Sequence, residues 1–93
     1  SLNLSKSRLK EIPNNIQLLT SLKNLLLYQN EIENLPIELF LNLTNLIHLI
    51  LNGNKINKIP IEIKYLKKLE KLNISFNQII IIPKEIGLLS NLR

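Results

Sequence analysis

The fold of this chain is decided by a stretch in its middle, residues 46–60, which reads LIHLILNGNKINKIP. Its leucines alternate at Leu49 and Leu51, so both side chains lie on one face of a short strand. An Asn and an Ile follow the strand at fixed offsets, and Pro60 closes the stretch. Proline suits the first position of a short helical turn, because its missing N–H is not needed there. The stretch therefore predicts a strand, a polar turn and the start of a helical segment.

The same pattern recurs on both sides of this stretch. Residues 22–36 read LKNLLLYQNEIENLP and residues 69–83 read LEKLNISFNQIIIIP, while residues 1–13, SLNLSKSRLKEIP, match it from its third position onward. A period of 23 or 24 residues is typical of a solenoid, in which each unit buries its apolar side only against its neighbours. We therefore expect one repeat domain over residues 1–93 with four approximate units, 1–21, 22–45, 46–68 and 69–91.

The repeated unit, L-x-x-L-x-L-x-x-N-x-I-x-x-[LI]-P, resembles the repeat of the leucine-rich repeat family over essentially the whole chain. Residues 82–89, IPKEIGLL, are similar to the signature of the intracellular Ras-group and scaffold type, whereas the 24-residue second unit is more similar to extracellular repeats. The resemblance implies an α/β fold. It further implies a curved right-handed solenoid, with short parallel strands on the concave face and short helical or 3-10 turns on the convex side.

The spacing of the strands and of one polar column supports the same architecture. About twenty residues separate successive strands, which suits parallel pairing through a crossover connection. An Asn recurs at one offset after each of the last three strands, where its side chain can bond backbone groups of the turn. Stacking of the units would align these residues into a structural ladder formed by Asn30, Asn54 and Asn77.

The composition excludes most catalytic and metal chemistry. The chain has 22 Leu and 16 Ile but no Cys, no Asp and a single His, His48. Without Cys there is no disulfide framework, thiolate zinc site or Cys nucleophile, and without Asp there is no Ser-His-Asp triad. We therefore expect no enzymatic activity, no cofactor, no metal and no small-molecule substrate.

Two further classes of partner are disfavoured. The longest aliphatic run, Ile79–Ile82, is far shorter than the roughly 20 residues that cross a membrane. The net charge of +5 comes from lysines scattered among seven Glu, and only 4% of residues are aromatic. Nucleic-acid binding is therefore disfavoured, since base stacking needs aromatic side chains beside a continuous basic groove.

A protein partner is expected at the outward positions of the strands, because the repeat uses the other positions for its core. Leu26 and Ile50 occupy equivalent outward positions, so they lie about 5 Å apart across the sheet. An apolar centre inside a polar rim is typical of a protein-binding patch. The alternative is that branched aliphatic residues simply favour strands. The predicted partner-binding residues are Asn24, Leu26, Tyr28, His48, Ile50, Lys71 and Asn73.

Unit four departs from the repeat pattern at Ile80 and Ile81. The equivalent pairs in the other units are polar, so two extra isoleucines suggest contact with a following repeat, a cap, another domain or a second copy of the chain. Drift in an Ile-rich sequence is the alternative explanation. We also predict that Phe76 packs along the edge of the strand ladder.

The family resemblance implies a scaffold or targeting arm in signalling, and a cytoplasmic location. The alternative is a surface-exposed or secreted recognition or adhesion protein that engages a host or ligand. Asn3, Asn42 and Asn73 each begin an Asn-x-Ser/Thr glycosylation pattern, which favours the alternative, whereas the lack of Cys disfavours the disulfide-bonded caps of secreted relatives. The repeat phase suggests a fragment of a longer array or multidomain protein, with uncapped ends that promote self-association.

Overall fold

Four short strands form a single parallel sheet in the order β1-β2-β3-β4. The computed structural model describes residues 1–92, and Arg93, the last residue of the predicted domain, lies outside the described residues. The strands are β1 (Leu2–Asn3), β2 (Asn24–Leu26), β3 (His48–Ile50) and β4 (Lys71–Asn73). The helical segments are α1 (Ile37–Asn42) and three 3-10 helices, Asn14–Leu18, Ile61–Tyr65 and Lys84–Leu88.

Each strand pairs in parallel with the strand that follows it in the sequence, and a crossover connection joins the two. The Leu27 N–H donates to the carbonyl oxygen of Ile50 at 2.9 Å, and the Leu51 N–H donates to that of Asn73 at 2.8 Å. Similar bonds run from one unit to the next along the turns. The predicted α/β fold, a leucine-rich repeat solenoid with parallel strands on one side and short helical turns on the other, is confirmed.

Each helical segment begins directly after a proline, and the acidic residues Glu38, Glu62 and Glu85 lie in the first turn of the last three. In unit three the Leu66 N–H donates to the Ile63 carbonyl oxygen, three residues earlier. In unit two the corresponding bond runs from Leu43 to Leu39, four residues earlier. The extra residue of the 24-residue unit therefore converts a 3-10 helix into an α-helix.

The core lies between the sheet and the helical segments. Leu25, Leu27, Leu49 and Leu51 are fully buried from the strand side, as the period-two alternation predicts. From the helix side, α1 contributes a fully buried Phe40, which the repeat pattern does not identify because the other units have no equivalent apolar residue there. Within residues 1–92, no helix is both long and apolar enough to span a bilayer.

Candidate functional site

The register of the sheet aligns the predicted partner-binding residues in two rows. Leu26 lies opposite Ile50, and Ile50 lies opposite Asn73. In the second row Asn24 lies opposite His48, which lies opposite Lys71. Because side chains alternate along a strand, both rows face away from the buried Leu25 and Leu49. We call this surface the concave face; six of its seven predicted residues, all except Tyr28, belong to these rows.

The centre of the concave face is apolar and only partly exposed. Leu26 and Ile50 are both half-buried, although they point away from the core. Parallel strands lie less than about 5 Å apart, so side chains in one row cover part of each other's surface. Asn24 and His48 are also half-buried, whereas Lys71 is exposed. The arrangement offers a small apolar contact area with polar groups beside it, which suits protein recognition.

Tyr28 extends the apolar centre beyond the end of β2. Its backbone N–H donates to the Ser5 hydroxyl oxygen at 3.1 Å, and its carbonyl oxygen accepts from the Lys6 N–H at 3.0 Å. These bonds fix the backbone of Tyr28, and its side chain is half-buried. An aromatic side chain on a backbone held in this way is suited to anchor a partner, because little backbone entropy remains to be lost on binding.

Asn73 has a local structural role that the sequence reasoning missed. Its side-chain oxygen accepts from the Ser75 N–H at 3.1 Å and from the Ser75 hydroxyl at 2.7 Å. In unit one, Asn3 accepts from the Ser5 N–H in the same way. The Asn-x-Ser pattern is the signal for this turn, in which the side chain replaces a backbone acceptor. The Asn73 oxygen is therefore engaged inside the molecule.

The Asn ladder stabilises the turns beside the concave face. The Asn54 amide donates to the carbonyl oxygens of Leu27 and Leu51, both at 2.9 Å, and its oxygen accepts from the Ile32 N–H at 3.1 Å. Asn30 and Asn77 repeat this pattern. Each amide thus joins its own turn to the preceding unit. Within residues 1–92, every buried side-chain nitrogen and oxygen has a hydrogen-bond partner.

A second track of bonds between units lies just before the first Leu of each unit. The Asn45 amide donates to the Thr20 carbonyl oxygen at 2.9 Å, and the Lys68 ammonium donates to the Asn45 side-chain oxygen at 2.8 Å. The Asn91 amide donates to the Lys67 carbonyl oxygen at 3.0 Å. In the sequence, this track is indicated by an Asn-Leu pair that recurs at residues 45–46 and 91–92. Lys68 therefore belongs partly to the scaffold.

Each unit has a left-handed backbone two positions after the core residue that follows its strand; these core residues are Leu4, Leu27, Leu51 and Ile74. The φ angles are 56° at Lys6, 55° at Gln29, 73° at Gly53 and 55° at Phe76. The prediction that Phe76 packs along the ladder edge is wrong, because its side chain is 85% exposed. Its counterpart in the neighbouring unit is Gly53, which offers no side chain for the ring to pack against.

Metal-binding geometry is not apparent on this surface. Within the part of the chain that the structure describes, no three His or Glu side chains are grouped closely enough to hold a metal ion. The concave face is thus built from amide, imidazole, ammonium, phenol and aliphatic groups. This set of groups can form hydrogen bonds and apolar contacts with another protein.

A family model described as leucine rich repeat matches residues 20–79, well over half of the chain. The chain belongs to the leucine-rich repeat family. Leucine-rich repeat domains mediate protein–protein interaction and are typically without enzymatic activity. No curated protein matches this leucine-rich repeat chain.

Solved structures match the leucine-rich repeat chain closely. The BIR3–SERK2 complex from Arabidopsis thaliana gives a TM-score of 0.91 at 35% identity, over 100% of this chain and 52% of that one. The BIR2 ectodomain from the same plant gives a TM-score of 0.88 at 32% identity, over 98% of this chain and 50% of that one. An internalin (inlF) from Listeria monocytogenes gives a TM-score of 0.80 at 33% identity, over 91% of this chain and 24% of that one. The chain therefore spans about half, or less, of the length of these proteins.

Proposed function

We propose that this chain is a protein-interaction module that binds a partner on its concave face, as a scaffold or targeting arm in signalling. The observation that carries the proposal is the direct pairing of Leu26 with Ile50 in the sheet register. Neither residue is needed in the core, which Leu25, Leu49 and their neighbours fill. Two adjacent aliphatic side chains at positions that folding leaves free are well placed to contact a partner.

The polar groups around this pair add specificity to the proposed contact. Asn24, His48 and Lys71 form the adjacent row, so a partner that covers the apolar pair also meets an amide, an imidazole and an ammonium group. Full burial of an exposed aliphatic side chain is worth about 1.5–3 kcal/mol, and the half-buried Leu26 and Ile50 would each gain part of this on binding. Together with Tyr28, the pair is suited to form the energetic centre of an interface.

The experiment compares proteins captured from lysate of the source cells by three forms of the chain. The wild type is compared with a concave variant, Leu26→Ser with Ile50→Ser, and a convex control, Leu41→Ser. Leu41 is 48% exposed on α1, so the control removes an exposed aliphatic side chain from the opposite side. We expect the concave variant to lose the captured partner while the convex control retains it.

Thermal unfolding of the three forms separates loss of binding from loss of folding. Since the concave pair is only half-buried, we expect its variant to remain folded, with a native circular dichroism spectrum. Retention of the same partner by the folded concave variant would contradict the proposal.

A second candidate function is a surface-exposed or secreted recognition protein that engages a host or ligand. It is favoured by the matched structures, since one is described as an ectodomain and another as an internalin. Protease treatment of intact source cells distinguishes the two locations. Digestion of the chain without cell lysis supports the surface location, whereas protection until lysis supports the cytoplasmic one.

A further inference from the structure

The lateral surface of the solenoid, between the Asn turns and the helical segments, carries a row of exposed isoleucines. Ile80 and Ile81 are 91% and 76% exposed, more than most large apolar side chains of the described residues. Ile37 and Ile61, at the start of α1 and of the following 3-10 helix, are also exposed. We call the surface formed by Ile37, Ile61, Ile80, Ile81 and Lys58 the flank surface.

A following repeat would leave Ile80 and Ile81 uncovered. In unit two the equivalent pair is Glu33-Asn34, and in unit three it is Asn57-Lys58; all four residues are exposed although another unit stacks on each. This column therefore faces solvent at every position in the stack. Ile82 differs, because its equivalents Leu35 and Ile59 are only 7% and 3% exposed.

Two equivalent grooves on the flank surface show what the isoleucines change. The groove between units two and three, of about 460 Å³, is lined on its unit-three side by Asn57 and Lys58. The groove between units three and four, of about 450 Å³, is lined at the same positions by Ile80 and Ile81, with Ile59 and Ile61 opposite. One repeat further along the solenoid, two isoleucines replace the polar pair of this wall, so the second groove has fewer polar groups in its lining.

The lining of the apolar groove carries one positive charge. Lys58 is the charged residue among those that line it. Residues 1–54 carry four basic and four acidic side chains, whereas residues 55–93 carry eight basic and three acidic ones. The whole net charge therefore lies in the half of the sequence that contributes the apolar groove. A complementary surface would place acidic groups beside apolar ones.

We propose that the flank surface is a second protein-binding site, which takes a segment with apolar side chains adjacent to Glu or Asp. Ile80 and Ile81 anchor the apolar side chains of this segment, since they lie beside a groove that receives them. Lys58 pairs with the acidic groups and sets the orientation. The site is separate from the concave face, so it is independent of the function proposed above.

The test uses a fluorescein-labelled amphipathic helical peptide with Leu on one face and Glu on the other, measured by fluorescence anisotropy. The critical variant is Ile80→Asn with Ile81→Lys, which gives unit four the pair found in unit three. Because the variant adds a positive charge, purely electrostatic binding would become tighter. We expect its affinity to fall about tenfold or more, and a peptide with Lys in place of Glu to bind the wild type at least about tenfold more weakly.

Two controls locate the interaction. The concave variant, Leu26→Ser with Ile50→Ser, should bind the acidic peptide with unchanged affinity, and Lys58→Glu should weaken it. Thermal unfolding should be unchanged in the Ile80/Ile81 variant, since both positions are exposed. Absence of binding by the wild type, equal affinity of the Ile80/Ile81 variant, or equal binding of the Lys peptide would each overturn the proposal.

Two other occupants of the flank surface give distinct results. Sedimentation with phosphatidylcholine–phosphatidylserine vesicles that depends on Ile80 and Ile81 would overturn the proposal in favour of a lipid surface. A concentration-dependent dimer that is abolished by the Ile80/Ile81 substitutions would overturn it in favour of a second copy of the chain. Monomeric behaviour without vesicle binding, together with acidic-peptide binding, supports it.

Discussion

Units three and four both have aliphatic residues in their core columns, but the burial of these residues differs. Leu51 and Ile56 of unit three are fully buried, whereas Ile74 and Ile79 of unit four are only half-buried. Within the described residues, unit three is packed between two neighbours and unit four against one. Burial in this fold is therefore set by the position of a unit in the stack as well as by the residue.

The same comparison separates two kinds of exposed isoleucine. Ile82 belongs to a column that is buried wherever a unit has neighbours on both sides, so its 49% exposure reflects its place in the stack. Ile80 and Ile81 belong to a column that stays exposed in units two and three. Only the second kind indicates a binding surface that stacking would not cover.

Truncation of core aliphatic side chains should show the largest difference between units three and four. We expect Leu51→Ala to lower the free energy of unfolding by about 2–5 kcal/mol, since it leaves a cavity between packed neighbours. Ile74→Ala should cost less than half as much, because the site is already partly open to solvent. Urea denaturation of both variants measures the difference. Equal losses would show that unit four is packed as tightly as unit three in solution.

Substitutions in the Asn ladder should show a smaller difference in stability between units three and four, again with the larger loss in unit three. Asn54→Ala leaves the buried Ile32 N–H without its acceptor, and the Leu27 and Leu51 carbonyl oxygens each lose one of their two amide donors. We expect a loss of about 1–3 kcal/mol in the free energy of unfolding. Asn77→Ala should cost less, because water reaches its half-buried site. A larger loss for Asn77 than for Asn54 in denaturant titration would contradict this ranking.

Substitutions of the left-handed residues should have the smallest effects on stability, and these effects should have opposite signs in units three and four. Gly53 has φ +73°, and a Cβ there would lie 3.2 Å from the Gln29 Cγ, so Gly53→Ala should destabilise by about 1 kcal/mol. Phe76 holds a similar backbone with φ 55° and an exposed ring, so Phe76→Gly should be neutral or stabilise slightly. Differential scanning calorimetry of both variants tests the signs. A fall in Tm for Phe76→Gly would show that the ring packs in solution.

Features that repeat with the period could be predicted from the sequence. The parallel strands, the proline-initiated helical turns and the ladder through Asn54 all follow from columns that recur in phase. Phe40 could not be identified, since its burial depends on one extra residue converting a 3-10 helix into an α-helix. Phe76 was misplaced because a repeat pattern does not specify a left-handed φ.

The candidate site also has features that the repeat predicts and features that it does not. The adjacency of Leu26 and Ile50 follows from repeat spacing, because one register fixes every row of the sheet. The engagement of Asn73 with Ser75 depends on side-chain conformations that spacing does not determine. These bonds reduce the contribution that Asn73 is free to make to a partner and leave the aliphatic pair as the centre of the site.

Site-specific photo-cross-linking of the captured partner tests the concave-face proposal most directly. Benzoylphenylalanine is placed at His48, beside the aliphatic pair, or at Leu41 on α1 of the convex side. We expect a covalent adduct with the partner from position 48 and none from position 41. An adduct from position 41 with none from position 48 would contradict the proposal.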